Sequence, residues 1–361
     1  MLNNNIKNKA KILALTSCIS ILSLTANANE VKSNTKLNND KKFSISIESG
    51  LRKDNLNWKT SGFDSYWINS SETSAYKLPT SSELSWSNIE VFENKIGAEI
   101  PITKIKGGNL YIDGSIAFGS IMHGENQDSD FIFEGTEYRT EFSRSNNDAS
   151  SGSTEDYALS LNYEIPVRKS IADNILVLNS ITPSFGYSIN KQNLKMTNGF
   201  QSLSMVGFND GNEMFYLDPN ITEPYVGTLS GLNSSYDSSW EGITLGLAID
   251  TSIFEKHNFK LAGKYHLNNY YAEADWNLRS DLAHPKSFEH EATSKGVDLS
   301  LKYAYEVTRS LDLTLGLNYK KFSASGGTNT IFGSNGEQLE TGLEKVSWDS
   351  RSALAGLNYK F

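Results

Sequence analysis

Residues 352–361, SALAGLNYKF, divide almost completely between two faces at a period of two. Ala353, Ala355, Leu357, Tyr359 and Phe361 fall on one face; Ser352, Gly356, Asn358 and Lys360 fall on the other. Successive side chains of a strand point to opposite sides, so this spacing reads as a strand with one apolar face. VDLSLKYAYEV (297–307), LDLTLGLNY (311–319), FSISIESGLR (43–52) and GITLGLAID (242–250) repeat it.

Run length separates the two folds that alternate in this way. Strands of a soluble sandwich average about five or six residues. These runs are about nine to thirteen, the length that crosses a bilayer at a tilt. Aromatics gather near the run ends (Phe43, Tyr303, Tyr305, Tyr319, Tyr359, Phe361), as membrane-interface girdles do. The spacing therefore predicts an all-β fold, a transmembrane β-barrel.

Ten antiparallel strands are expected, near 43–53, 83–101, 108–122, 155–167, 177–195, 238–254, 257–277, 293–308, 311–325 and 347–361. Four short connections (102–107, 168–174, 254–258, 308–310) alternate with five long ones (54–82, 123–154, 196–237, 278–292, 326–346). Short periplasmic turns and long extracellular loops are the rule for such barrels, and an even strand number leaves no free edge. Several strands exceed what a roughly 30 Å apolar core needs at about 3.3 Å per residue, so the sheet should project above the membrane with a cleft at its top. Glu48, Arg52, Lys302 and Glu306 would fill the lumen with ion pairs. In the seventh strand Lys260, Lys264 and His266 share one parity, while Glu273 and Asp275 have the other. A bulge near Asn268-Asn269 would reconcile them, as would an upper part lying above the membrane.

Residues 1–28 carry a basic start (Lys7, Lys9, Lys11), an apolar run from Ile12 to Leu24 and the small-x-small site Ala26-Asn27-Ala28. These are the parts of a secretory signal peptide. A short segment, 29–42, then precedes the barrel domain, 43–361. Cys18 is the only cysteine, so disulfides and cysteine–metal sites are not expected in the mature chain. The net charge of −9 without a basic block argues against a nucleic-acid partner. The expected location is the outer membrane of a Gram-negative bacterium, with outer-membrane lipid as the surrounding partner.

Chemistry concentrates in ENQDSDF (125–131), where Asp128 and Asp130 stand two residues apart. Solvation is the ordinary role of acidic residues in an outer loop. A calcium site from Glu125, Asp128 and Asp130 would suit hard-cation chemistry, but the stretch lacks the glycine and distal glutamate of a dedicated loop. WNLRSDLAH (276–284) contributes Asp281 and His284. His123 and His290 also lie near the mouth, and His257 falls in a periplasmic turn. GFQSLSMVGFNDGNEMFYLDP (199–219) is more apolar than an outer loop requires and is expected to fold back over the cleft.

SSELSW (81–86), DSDF followed by TEFSRS (140–145), EPYVG (223–227) and WNLRSDLAH, in that order, resemble segments of the omptins, ten-stranded outer-membrane proteases. The resemblance implies a surface endopeptidase. Asp128 and Asp130 would position a water, His284 would act as general base, and Asp281 would be its carboxylate partner. Imidazole suits that role because its pKa lies near working pH. The resemblance also implies a peptide or protein substrate, lipopolysaccharide as an activator, and no metal or other cofactor. The chain departs from the family at Leu282, where the omptins carry aspartate; Asp281 stands three residues before His284 instead of two. The alternative is a non-catalytic barrel on the same scaffold: a porin, adhesin or surface antigen. Ten strands make a narrow barrel for a porin.

Overall fold

The computed structural model describes residues 41–66, 76–172, 176–209, 214–216, 223–254 and 256–361. The expected signal peptide lies outside the described residues, as does most of segment 29–42. Thirteen strands follow in chain order: β1 Ser44–Tyr66, β2 Tyr76–Ile105, β3 Gly108–Ile132, β4 Thr140–Asp148, β5 Gly152–Ala172, β6 Leu176–Ser204, β7 Gly207–Asn209, β8 Met214–Tyr216, β9 Gly227–Ile253, β10 His257–Asp275, β11 Phe288–Thr308, β12 Leu311–Phe332 and β13 Gln338–Lys360. All but β7 and β8 form one antiparallel sheet, closed by pairing of β2 with β3 and of β5 with β6. β3 pairs with β5 in its lower half and with β4 in its upper half, and both pair with β6. β4 and β5 are thus one barrel strand interrupted at 149–151, and the ring has ten positions.

The outer face carries the apolar band. Leu51, Phe118, Leu161, Leu247, Leu261, Leu299 and Leu315 are all exposed, as lipid-facing residues of a barrel should be. Inside the same band the residues are charged. The Arg52 guanidinium donates from Nε and Nη2 to both oxygens of Asp54 (2.8 and 2.6 Å) and from Nη1 to Glu93 and Asp156 (3.1 Å each). Lys320 adds a 2.8 Å bond to Asp156, and Lys302 bonds Glu48 at 2.8 Å. The cations are satisfied by carboxylates drawn from different strands, which a buried charge requires.

The strands run well beyond this band, further than the sequence spacing indicates. Stretches expected as loops, such as 54–66 and 123–132, are strand. Their interior is an apolar cluster that includes Leu56, Trp58, Trp86, Tyr236, Trp240, Tyr270, Phe288, Phe322 and Trp348. β10 pairs with both neighbours from His257 to Ala274 without a register shift, so no bulge forms at Asn268-Asn269. Tyr270, Ala272 and Ala274 continue the inward face, and Glu273 and Asp275 point outward above the lipid, where water receives them.

A candidate ligand cleft at the outer mouth

Whether Asp128 and Asp130 face the lumen depends on a defect in β3. In its lower half the inward residues are odd-numbered: Ala117, Gly119 and Ile121 are buried while Ile116 and Phe118 face lipid. Continued unchanged, that parity would turn both aspartates outward. The pairing of β2 with β3 slips between Ser87 and Val91, and Asn88 takes a φ of 54°, a left-handed value that asparagine tolerates. Gly124 sits opposite; a Cβ there would stand 2.4 Å from Ile89 Cδ1 and 2.9 Å from the Ala149 carbonyl. Above this bulge the even residues point inward, which brings Asn126, Asp128 and Asp130 into the mouth.

The aspartates line a cleft of about 330 Å³ together with Trp58, Ser82, Trp276, Arg279, Leu282 and His290. Ser82 donates to Asp130 at 2.5 Å. Burial and the neighbouring Asp130 push Asp128 well above the usual carboxylate range, against the opposing pull of its hydrogen bond with Trp276 and of the Arg279 charge. His290 is fully buried at the floor, with Nδ1 bonded to the Tyr236 hydroxyl at 2.8 Å. Burial pulls its pKa down to about 3, so the imidazole is neutral.

The loop between β10 and β11 forms the facing wall and is pinned by its own backbone. Arg279 N–H donates to the Trp276 carbonyl, Ala283 N–H to Phe332 and Ser334 N–H to the Asp281 carbonyl. Trp276 continues the inward parity of β10, which carries its indole to Asp128. Leu282, at the position where the omptin pattern has aspartate, lines the cleft and is nearly buried. Asp281 accepts two bonds from the Arg279 guanidinium, at 2.8 and 2.7 Å. That bidentate pair draws Asp281 below the usual carboxylate range and raises Arg279.

His284 is held elsewhere. Its Nδ1 bonds Asp275 Oδ1 at 2.6 Å, and its Nε2 lies 3.2 Å from the Arg279 carbonyl. Asp275 has the outward parity of β10, so the pair stands on the outer face, and neither residue lines the cleft. Both ring nitrogens are engaged with oxygens outside the cleft. The structure thus brings Asp128 and Asp130 together and does not bring Asp281 or His284 to them.

Of the other residues weighed, Glu125 has the opposite parity to the aspartates, so the three do not converge. Among the described residues no group of three His, Cys, Asp or Glu could hold a metal. His123 is exposed, and His257 bonds Tyr303 at the periplasmic end. From the apolar third loop, Gln201 reaches the cleft and β7 pairs with β8; residues 210–213 and 217–222 lie outside the described residues. Sequence spacing alone does not single out Trp276 or Arg279. The inward parity of β10, carried one residue past its end, was the available signal for Trp276.

The fold is similar to that of the outer membrane protease OmpT from Escherichia coli, with a TM-score of 0.61, 12% identity, and coverage of 91% of this chain and 100% of that one. Outer membrane protein OprG from Pseudomonas aeruginosa (TM-score 0.28, 9% identity, 89% and 97% covered) also aligns. So does the translocator domain of the autotransporter NalP from Neisseria meningitidis (0.28, 10%, 98% and 98%). No curated protein matches the sequence. The barrel is a bacterial outer-membrane protein, and the model of one family, described as Protochlamydia outer membrane protein (Pom), matches residues 46–361. The chain belongs to the Pom family of Protochlamydia outer membrane proteins.

Proposed function

We propose that this protein is a surface barrel that captures a basic peptide segment in its outer cleft and does not hydrolyse it. One observation carries the reading: Arg279 and Trp276 face the two aspartates across the cleft, while His284 is bound to Asp275 on the outside. A hydrolase needs a base that reaches the attacking water, and geometry comes before pKa in that requirement. His290 lines the cleft, but burial lowers its pKa to about 3, which makes it a weak base, and its Nδ1 is taken by Tyr236. An incoming ammonium or guanidinium can replace Arg279 beside Asp128 and Asp130, and the net charge of −9 steers basic ligands to the surface. Lipopolysaccharide remains part of the proposal only as the surrounding outer leaflet.

A specific observation favours a second reading, an omptin-like endopeptidase. Asp128 is raised by burial and by Asp130, and two carboxyls facing one cleft are the arrangement of hydrolases that use a carboxyl pair. A library of basic peptides tests both readings, with refolded wild type, Asp130→Asn and His284→Ala assayed for binding and for cleavage. Capture predicts that wild type and His284→Ala bind alike, Asp130→Asn binds weakly, and none cleaves. Cleavage lost in Asp130→Asn alone establishes carboxylate chemistry without His284. Cleavage lost in both variants restores the His284 assignment.

A further inference from the structure

We infer that the outward wall of β11, β12, β13 and β1 binds an anionic, phosphate-bearing lipid of the outer leaflet. Lys53, Arg351, Lys321 and Lys295 hold its headgroup, and one acyl chain lies in the groove beneath them. The inference is independent of what the cleft captures, because these residues face away from the lumen.

Along a barrel strand the outward residues are mainly apolar through the membrane and give way to polar ones above it. The residue at that boundary differs between the two sides of the ring. After Leu51 of β1, Ala353 of β13, Tyr319 of β12 and Val297 of β11, the next outward residue is Lys53, Arg351, Lys321 and Lys295 respectively, and all four are exposed. On the other six ring positions the corresponding residues are Glu90, Ser120, Glu155, Lys191, Glu241 and Asn269. A general interfacial belt would spread its cations around the ring. Here they stand on four adjacent strands.

The pairing sets these cations in one row. Lys53 lies directly opposite Arg351, and Lys321 lies opposite Asp349, two residues from Arg351. Lys295 stands two residues from Val297, the partner of Lys321. Diagonal neighbours of this kind are about 7–8 Å apart. Asp349 and Glu90, which is opposite Lys53, border the row; four cations against two carboxylates leave two positive charges in excess. Asp349 is taken by Asn55 at 3.2 Å. Arg351 lies 5.9 Å from the Tyr319 ring, and among the described residues none of the three lysines has a hydrogen bond, ion pair or ring contact. Inside the barrel, by contrast, Arg52, Lys302 and Lys320 each meet a carboxylate. Like charges set opposite each other destabilise a sheet, and an anion between them relieves that repulsion. Phosphate suits the row, since a guanidinium gives it two parallel bonds and lysines add point charges.

Immediately below, a groove of about 690 Å³ opens on the lipid face, lined by Leu51, Leu299, Leu317, Tyr319, Arg351 and Ala353. Ala353 is opposite Leu51 on one side and Leu317 on the other, so its methyl is the floor between two leucine walls. Leu51 and Leu317 are 62% and 58% exposed. Arg351 stands at the upper end of this groove, so a lipid whose phosphate sits on the row lays a chain along the floor. Free phosphate would use the row and leave the groove empty. Basic clusters at a membrane surface recognise anionic headgroups in this way.

The test is lipid retention by the refolded barrel, measured by native mass spectrometry from detergent micelles. The probes are dioleoylphosphatidic acid, zwitterionic dioleoylphosphatidylcholine and inorganic phosphate. Wild type should retain phosphatidic acid about tenfold more tightly than phosphatidylcholine. Lys53→Gln/Lys321→Gln/Arg351→Gln should lose that preference, and Lys191→Gln/Lys195→Gln, on the wall of β6, should keep it. Ala353→Trp fills the groove without changing a charge and should weaken retention of phosphatidic acid. Equal retention of the two lipids by wild type overturns the inference. A triple variant that still prefers phosphatidic acid overturns the assignment to this row. If Ala353→Trp binds as wild type does and inorganic phosphate displaces the lipid, the wall is an anion site and the lipid assignment fails. Should the triple variant not fold, Arg351→Gln against Lys191→Gln makes the same comparison, and equal preference in those two overturns the assignment.

Discussion

The lower and upper halves of β10 are mirror images in polarity. In the lower half of β10, Leu261, Tyr265 and Leu267 face out while Lys260, Lys264 and His266 face in; in the upper half, Tyr270, Ala272 and Ala274 face in while Tyr271, Glu273 and Asp275 face out. The backbone parity is unbroken and the pairing does not shift. What changes is the solvent outside. Lipid demands an apolar exterior and tolerates a polar lumen; water above the membrane reverses both demands. The same sheet is therefore held by ion pairs inside its lower half and by packed rings inside its upper half.

Removing one member of each kind should break the comparison in different ways. The largest effect is expected from Arg52→Met, which strands Asp54 and Glu93 around an uncharged side chain and leaves Asp156 with Lys320 alone. Breaking such a buried network costs about 3–5 kcal/mol. Lys59 is seven residues further along β1 and pairs with Glu134 at 2.7 Å, but it is partly exposed above the membrane. Lys59→Met should cost less than about 1 kcal/mol, as exposed ion pairs do. Denaturant unfolding of the refolded barrel in micelles reads both, and equal losses would show that the lumen network is no more buried than the rim.

Next in size is Gly296→Ala. A Cβ at Gly296 would stand 1.9 Å from Phe322 Cδ1, so the ring lies where any side chain would have to go. Overpacking of this kind costs about 1–3 kcal/mol. Gly316, lower in the neighbouring strand, has only the Leu354 carbonyl near it at 4.0 Å. Gly316→Ala should leave unfolding midpoint and tryptophan fluorescence unchanged, while Gly296→Ala shifts both. A neutral Gly296→Ala would show that the aromatic layer is loosely packed.

The mirror relation also explains what could be read from the sequence. The lower half follows the barrel pattern of lipid-facing leucines, so strand number and closure were legible from runs such as VDLSLKYAYEV. The upper half alternates too: in NLNWKT (55–60), Leu56, Trp58 and Thr60 are buried between Asn55, Asn57 and Lys59. Its apolar residues are few and widely spaced among Asn, Ser and Thr, so the stretch has the composition of a loop. Slips at Asn88 and near Gly124 further break the alternation where the two halves meet. The aspartate pair was legible as a pair, because residues two apart share a face on any strand. The partner wall was not. His284 and Asp275 are nine residues apart across a loop, and nothing in local spacing says that they meet outside the barrel.

The smallest effect, and the one that isolates the cleft, is in the pH dependence of two aspartates. Asp128 is raised by burial and by Asp130, so the folded state holds its proton to higher pH than the unfolded chain does. Below the unfolded carboxylate pKa of about 4 both states are protonated and there is no penalty. As pH rises from there toward the folded value, the unfolded state loses its proton first and stability falls. Asn cannot ionise, so Asp128→Asn should match wild type in acid and gain on it steadily toward neutral pH. Asp281 should do the reverse. Its hydrogen bonds with Arg279 lower its pKa, so its contribution is present above about pH 4 and disappears as pH falls through the folded value. Asp281→Asn should therefore be less stable than wild type at neutral pH and equal to it in strong acid. Thermal unfolding of the three barrels across pH would show curves that separate in opposite directions from a common acid limit. Parallel curves for the two variants would mean that Arg279 serves Asp128 and Asp281 alike, and that Asp128 meets no electrostatic penalty for a basic ligand to relieve.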